Sequence, residues 1–503
     1  MKNHAPLPEP AGSDAPNANR RVTLPGALSL NLMNMIGVGP FITLPLVAAA
    51  LGPGAWLGWL LGALLAVCDG LVWAELGAAL PRAGGSYAFL KEIYKPKTSE
   101  LSRETQPGRP DTSENREITE PGGSTVTSGT RWDAGRFLSF LYAWQLLFTA
   151  PLSIASGALG LAQYAAFLLP DLHRGLAFGF VTVRGTNLLA ASVCVLVVVL
   201  LSRGLGAVVR TAGVLTAGVL LTLLAVIAVG ITHLHKPLVA AQLAWPHGPG
   251  LLEALGAATL ITTYDYWGYY NVCFLGGEVR EPGRTIPRAV LASIALVATL
   301  YLLMNFAVLG AVPLGSLVTR GGQEEPMAAV LMRTVLPGSV GRSAAVGIAV
   351  LIMWTAFASV VSLLLGYSRA PYAAARDGNL FAPFAKLHPQ RSFPQFALLT
   401  LGAIATVFCF FDLRSVIAAL VAVRIVLQYG LQQIGVIVLR VRQPELPRPF
   451  RMWLYPLPPL LALGGFGFLL FFRAGAVREL LFAGALGLSG ALLYVWRERQ
   501  RAA

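Results

Sequence analysis

The sequence predicts an all-α polytopic membrane protein of twelve transmembrane helices, organised as a five-plus-five inverted repeat with helices 1 and 6 broken. Three observations carry that expectation. The 503 residues are 55% hydrophobic and only 12% charged, with a mean hydropathy of +0.64, a composition that excludes an ordinary soluble enzyme. Apolar runs recur that are long enough to cross a bilayer, which takes about 20 residues. Two of these runs are interrupted near the middle, at corresponding places in the two halves.

In chain order, residues 1–22 are polar and proline-rich and read as a disordered cytoplasmic arm without a cleaved signal. The spans fall at roughly 27–51, 53–80, 136–169, 186–202, 212–233, 251–276, 288–313, 343–372, 394–411, 413–440, 454–472 and 477–496. A polar stretch from Lys95 to Asp133, rich in Ser, Thr, Glu, Pro and Gly, reads as a disordered cytoplasmic insertion. Residues 23–440 then form the core, 441–496 add two helices, and 497–503 are a cytoplasmic tail. With five spans per half, the two halves enter the membrane in opposite orientations, which makes the repeat an inverted one. The net charge of +14 invites a nucleic-acid reading. With a cytoplasmic N-terminus, however, most Lys and Arg fall on the cytoplasmic side, as the positive-inside rule requires. The expectation is a multi-pass protein of the cell membrane with both termini cytoplasmic, a partner of the lipid bilayer and not of nucleic acid.

The first interruption is Ile36-Gly37-Val38-Gly39-Pro40. A broken helix exposes unsatisfied backbone N–H groups at the start of its second half, where the dipole amounts to roughly +0.5 charge, a ready seat for a carboxylate. Gly37 and Gly39 allow close approach to that backbone, and Pro40 fits the first turn of the following half-helix. Glycines at such a place also serve close helix packing. The second interruption, Tyr264 to Asn271, places Asp265 among Tyr264, Tyr266, Trp267, Gly268, Tyr269 and Tyr270. A carboxylate at bilayer depth costs about 2.5–3.5 kcal/mol on insertion scales and needs a partner. Three are open: a substrate ammonium, a coupling proton, or Arg424 within span ten. Tyr264 and Trp267 are the expected pocket walls, through ring packing or cation–π contact with an amine. The substrate-binding expectation is therefore Ile36, Gly37, Val38, Gly39, Tyr264, Asp265, Trp267 and Gly268. Paired breaks of this kind point to a transporter of a small molecule.

Other polar groups in the spans carry less. Ser359 and Ser362 on span eight could line a cation or substrate site, though serines are ordinary in tight helix interfaces. Asp69 and Glu75 lie on span two, with Glu75 near the cytoplasmic end, where a salt bridge or gate fits better than a proton carrier. Gln145 and Gln428 are candidates for hydrogen bonds across the bundle. Coupling or gating candidates are thus Asp265, Glu75, Ser359, Ser362 and Arg424, with a proton or cation as the coupling partner. The four cysteines, Cys68, Cys194, Cys273 and Cys409, lie in apolar spans without metal-ligand spacing and read as small buried hydrophobes. The six histidines fall in loops or at span ends. Neither metal nor cofactor is expected, and no nucleophile–base arrangement supports an enzyme.

These residues resemble the amino acid–polyamine–organocation superfamily of secondary transporters. Ile36-Gly37-Val38-Gly39-Pro40-Phe41 is similar to that family's first-helix G-x-G-x-F break. Glu75-Leu76 followed by Pro81-Arg82-Ala83-Gly84-Gly85-Ser86-Tyr87 resembles its E-L…P-x-x-G-G-x-Y signature. The stretch Glu278-Val279-Arg280-Glu281-Pro282 to Pro287, the end of span eight at Ser368-Arg369-Ala370-Pro371-Tyr372 and Ala375-Arg376-Asp377-Gly378, and Pro444 to Arg451 complete the likeness. The resemblance covers nearly the whole chain outside the tails and the 95–133 insertion. It implies the leucine-transporter-like fold with alternating access, a substrate α-carboxylate on the Gly37–Gly39 backbone and an amino group near the second break. Tyr266-Trp267 with Gly276-Gly277-Glu278-Val279 is similar to the L-type and polyamine-uptake branch. Pro40 departs from the pattern by removing one N–H, and span five lacks the lysine of many proton-coupled relatives. An amino acid is the expected substrate, with a polyamine as the alternative and a non-transporting nutrient sensor as a more distant one.

Overall fold

The structure, a computed structural model, describes residues 21–52, 54–96, 133–178, 181–203, 205–242, 250–317, 326–389, 393–411, 421–472 and 476–502. Most of the expected 1–22 arm and 95–133 insertion lies outside these residues. At their edges, Val22 overturns the boundary of the arm. It is fully buried, and its backbone pairs with Glu278 O and Arg280 N, both at 2.9 Å, forming a bridge to Val279. Asp133 likewise belongs to the helix that follows, capping it by accepting from Arg136 N at 3.0 Å.

Most of the described residues are helical, and one two-stranded hairpin joins them. The helices are α1 (Leu24–Met35), α2 (Gly39–Leu51), α3 (Ala55–Ala79), α4 (Ser86–Ile93), α5 (Ala134–Leu168), α6 (Gly185–Leu201), α7 (Leu205–Thr232), α8 (Leu251–Tyr266), α9 (Asn271–Phe274) and α10 (Pro282–Ala311). They continue as α11 (Met327–Val335), α12 (Gly338–Tyr367), α13 (Arg369–Arg376), α14 (Gln395–Phe408), α15 (Val421–Arg442), α16 (Leu457–Phe471) and α17 (Ala476–Ala502). The antiparallel strands β1 (Gly175–Phe178) and β2 (Val181–Arg184) pair with Gly175 opposite Arg184 and lead into α6. They and α11 lie between spans, in stretches that the apolar pattern leaves as loops.

Among the described residues, seven helices are long and apolar enough to cross a membrane. One further span is the pair α1–α2, bent by 47°, and three shorter apolar helices are α6, α14 and α16. In the broken run α8–α9 neither piece is long enough to cross a membrane alone. Packing follows a regular rule. The pair α1–α2 lies against α8–α9, α3 along α10, α5 along α12, and α6 along α14.

Close approach in this bundle rests on glycines of α3. A β-carbon at Gly58 would stand 3.2 Å from Ala258 of α8, and one at Gly62 would stand 2.6 Å from Thr262 Oγ1. At Gly77 it would stand 2.8 Å from Ile286 of α10, and at Gly70 it would overlap Ile294. Small residues of this kind let membrane helices pack backbone to backbone, where apolar burial alone gives no drive.

Candidate functional site at the meeting of the two broken helices

The first break is narrower than the sequence suggests. Helix α1 ends at Met35, residues Ile36–Val38 lie outside both helices with Ile36 away from helical geometry, and α2 already begins at Gly39 with Pro40 in its first turn. Ile36 N still bonds Leu32 O at 2.8 Å and Phe41 N bonds Val38 O at 3.2 Å. Between them, the N–H groups of Gly37, Val38 and Gly39 have no backbone or side-chain acceptor among the described residues. Three consecutive donors at the positive end of a helix make an anion seat, so Pro40 removes a donor the arrangement does not need. The carbonyl of Met35 is satisfied by Tyr301 OH of α10 at 2.8 Å.

The second break is shifted from its expected place. Tyr264, Asp265 and Tyr266 belong to the last turn of α8, and the chain unwinds only over Trp267–Tyr270. Trp267 is extended, and Gly268 has φ +127°, a conformation that favours glycine. A β-carbon at Gly268 would also stand 2.8 Å from Met35 N and 2.9 Å from Asn34 C. The second break therefore lies directly on the end of α1, and the two interruptions are neighbours in space.

Asparagines tie them together. Asn31 Oδ1 accepts from Val272 N at 3.0 Å, while Asn271 Nδ2 donates to Ser362 Oγ at 2.7 Å. Ser362 Oγ in turn donates to Leu30 O at 2.7 Å. Ser362 is thus saturated in the joint between α1, α9 and α12. Ser359, one turn earlier, stands beside the first break, with its Oγ 3.1 Å from a β-carbon built on Gly37.

Asp265 reaches across to the first break. Its Oδ2 accepts from Thr43 Oγ1 of α2, and its Oδ1 lies against Gly39, so that a β-carbon there would collide with it. That Oδ1 has no hydrogen-bond partner among the described residues, although the residue is buried. The internal ion pair with Arg424 is not formed. Arg424 Nη2 instead donates to Thr149 O at 3.2 Å and Ser153 Oγ at 3.0 Å of α5. Its guanidinium lies 5.8 Å from the Trp267 ring centroid and 5.4 Å from that of Tyr367, a cation–π arrangement.

The aromatic cluster around Asp265 divides among different neighbours. Tyr266 packs edge-on against Trp59 and meets Tyr301. Tyr270 stacks on Trp73 with centroids 4.6 Å apart, and Tyr269 donates its hydroxyl to Asp69 of α3. Tyr264 and Trp267 remain together, edge-to-face at 5.7 Å, with Trp267 stacked on Tyr429 at 4.8 Å. Trp267 is also the ring that faces the Arg424 guanidinium.

Glu75 takes the salt-bridge reading. Its Oε1 accepts from Arg440 Nε at 2.8 Å and lies 3.7 Å from Arg448 Nε, and its Oε2 accepts from Met452 N at 2.8 Å. It joins the end of α3 to the end of α15 and the segment beyond. Gln145 accepts from Thr149 at 3.1 Å. The amide nitrogens of Gln145 and Gln428 are buried without an acceptor. Thr43, Asn31, Asn271 and Tyr301 are the site residues that sequence reasoning missed. Two asparagines a turn apart in an apolar helix, Asn31 and Asn34, were the available signal.

A family model described as amino acid permease matches residues 26–102 and 122–480, which is most of the chain and includes every residue of both breaks. The chain belongs to the amino acid permease family. The resemblance to the amino acid–polyamine–organocation superfamily therefore holds. Within the family, this chain is 27% identical over 496 residues to a serine/threonine exchanger of Bacillus subtilis (strain 168), covering 95% of this chain and 96% of that protein. It is 26% identical to a branched-chain amino acid permease of Lactococcus lactis, covering 95% and 94%. It is also 26% identical to the large neutral amino acids transporter small subunit 2 of Homo sapiens, covering 90% and 75%.

Proposed function

We propose that this chain is a secondary active transporter that moves a neutral amino acid across the cell membrane by alternating access. The observation that carries the reading is the trio of acceptor-free N–H groups at Gly37, Val38 and Gly39, set against the unpartnered Oδ1 of Asp265. An α-amino acid carries a carboxylate and an ammonium on one carbon, and the two anchors touch at Gly39. The carboxylate takes the N–H groups and the positive end of α2. The ammonium takes Asp265, while Ile36, Ser359 and Gly268 border the seat and Tyr264 and Trp267 wall it. A polyamine would engage Asp265 and leave the three donors unanswered. The names of the relatives, for serine/threonine, branched-chain and large neutral amino acids, support a side chain without charge.

Twelve spans in a leucine-transporter-like inverted repeat suit this mechanism, with both termini cytoplasmic. The pairing of α1–α2 with α8–α9, α3 with α10, α5 with α12 and α6 with α14 supports the repeat, since each of the first four spans meets the span five places later. Glu75, held by Arg440 and Arg448, serves as a latch at one end of the bundle. Arg424 orients Trp267 and is a gating residue rather than the partner of Asp265.

The deciding experiment is thermal stabilisation of the purified protein by amino acids and by the amines left when their carboxyl group is removed. A ligand that binds only the folded state adds about 2.7 kcal/mol at 100 times its Kd. Stabilisation by L-leucine or L-threonine that vanishes with isoamylamine or 1-amino-2-propanol is expected. Stabilisation by spermidine or putrescine alone would replace the amino acid with a polyamine.

A further inference from the structure

A second buried carboxylate stands apart from the proposed amino acid seat. Asp69, near the middle of α3, is fully buried. One oxygen accepts from Tyr269 OH in the second break, and the other accepts from Gln433 Nε2 on α15. Both donors are themselves fully buried. Among the described residues, no Lys, Arg or His faces it. The titratable groups around it are Tyr269 of the break, Cys273 of α9, Tyr429 of α15 and Cys68 on its own helix. Helix α10 meets this part of α3 with Ile294 and Val290. Helices α8 and α16 meet α3 at Gly58, Gly62 and Leu65, closer to its start. An acid at this depth with no counter-charge is expensive to ionise, and such groups mark ion and proton pathways.

The neighbour on α15 adds an independent observation. Gln433 Oε1 is buried with no hydrogen-bond partner among the described residues, while the other end of the same amide donates to Asp69. An amide can present a donor or an acceptor by rotating half a turn. The cluster therefore has two hydrogen-bonded arrangements. Ionised, Asp69 accepts from Tyr269 and from Gln433 Nε2. Protonated, it donates its O–H to Gln433 Oε1 and still accepts from Tyr269.

We propose that Asp69 carries the coupling proton of this transporter, alternating between two hydrogen-bonded states shared with Tyr269 and Gln433. The inference rests on the transport reading above. One proton is taken up from one aqueous compartment and released to the other in each cycle, and no covalent bond besides the acid O–H forms or breaks. Tyr269 follows Gly268, whose backbone lies on Asn34 and Met35. Movement of the second break against the first therefore moves the donor that Asp69 depends on, and a bound substrate and a bound proton bias the same element.

The test uses the full chain in proteoliposomes. Exchange of radiolabelled L-leucine or L-threonine is measured without a gradient, and accumulation is measured under an imposed difference of one pH unit. One-proton coupling sustains up to about tenfold accumulation at that difference. The wild type is expected to do both, and Asp69→Asn to exchange without accumulating. Gradient-driven accumulation by Asp69→Asn, or a wild type that exchanges but does not accumulate under the gradient, overturns the proposal and leaves amino acid transport standing. Absence of wild-type exchange with every amino acid overturns both. Should Asp69→Asn fail to fold, Tyr269→Phe keeps the ring and removes the donor to the ionised form. The midpoint of the pH profile of uptake then moves upward, and an unmoved midpoint counts against the proposal.

Discussion

Glu75 and Asp265 are both buried carboxylates in apolar helices, and their surroundings could hardly differ more. Glu75 faces Arg440 and Arg448 and accepts a backbone N–H besides. Asp265 has one threonine hydroxyl and an oxygen with no partner among the described residues. The first is a closed account of charge that fastens helix ends. The second is incomplete within the protein, which is the condition under which a ligand can contribute. Sequence position alone does not separate the two, since each is a single acid in an apolar run. The partners do.

Four substitutions would break or sharpen that contrast, in falling order of effect. Glu75→Gln leaves two guanidinium groups without their carboxylate and should lower stability by about 3–5 kcal/mol, read as a fall in the unfolding temperature with or without substrate. Retained stability would mean that the latch contributes little. Gly39→Leu places a side chain where Asp265 Oδ1 now lies. Uptake of amino acids should fall at least about a hundredfold, or 2.7 kcal/mol, and normal uptake would sink the proposed seat. Asp265→Asn removes the charge that meets the ammonium, so amino acid binding should weaken by about 1.5–3 kcal/mol, measured by calorimetry, with little change in the unfolding temperature of the free protein. Unchanged affinity would take Asp265 out of the site. Thr43→Val deletes one hydroxyl donor to Asp265 and should cost about 1 kcal/mol of binding. An effect as large as that of Asp265→Asn would make the threonine a direct ligand.

Much of this fold is legible in the sequence because the bilayer imposes it. Long apolar runs must become helices, since a backbone in hydrocarbon has nowhere else to bond. Gly37, Gly39 and Pro40 announce the first break for local reasons, so its place is right to within a residue or two. The second break is displaced because Tyr264 to Tyr266 tolerate a helix well. What unwinds the chain is Gly268 at positive φ, pressed on Asn34 and Met35, a contact more than 200 positions away in sequence. The same reason hides Thr43, Asn31 and Tyr301, which matter through partners that only folding supplies. Arg424 misleads in the opposite direction. A lone cation in an apolar span looks like the natural mate of a lone anion, yet it satisfies itself on a carbonyl, a serine and two rings. The tyrosines beside Asp265 look like one cluster in sequence, yet Tyr264, Tyr266, Tyr269 and Tyr270 each serve a different neighbour in the fold.

The glycines of α3 carry a consequence for how the bundle works. At Gly58, Gly62, Gly70 and Gly77 the helix presents bare backbone to α8 and α10. These notches hold side chains of the partner helices: Thr262 sits against Gly62 and donates its hydroxyl to Gly58 O at 2.8 Å, and Ile294 and Ile286 seat at Gly70 and Gly77. The flank of α3 is therefore keyed to α8 and α10. A methyl at any of the four glycines would stand within 3.2 Å of a side chain of its partner helix and wedge the pair apart.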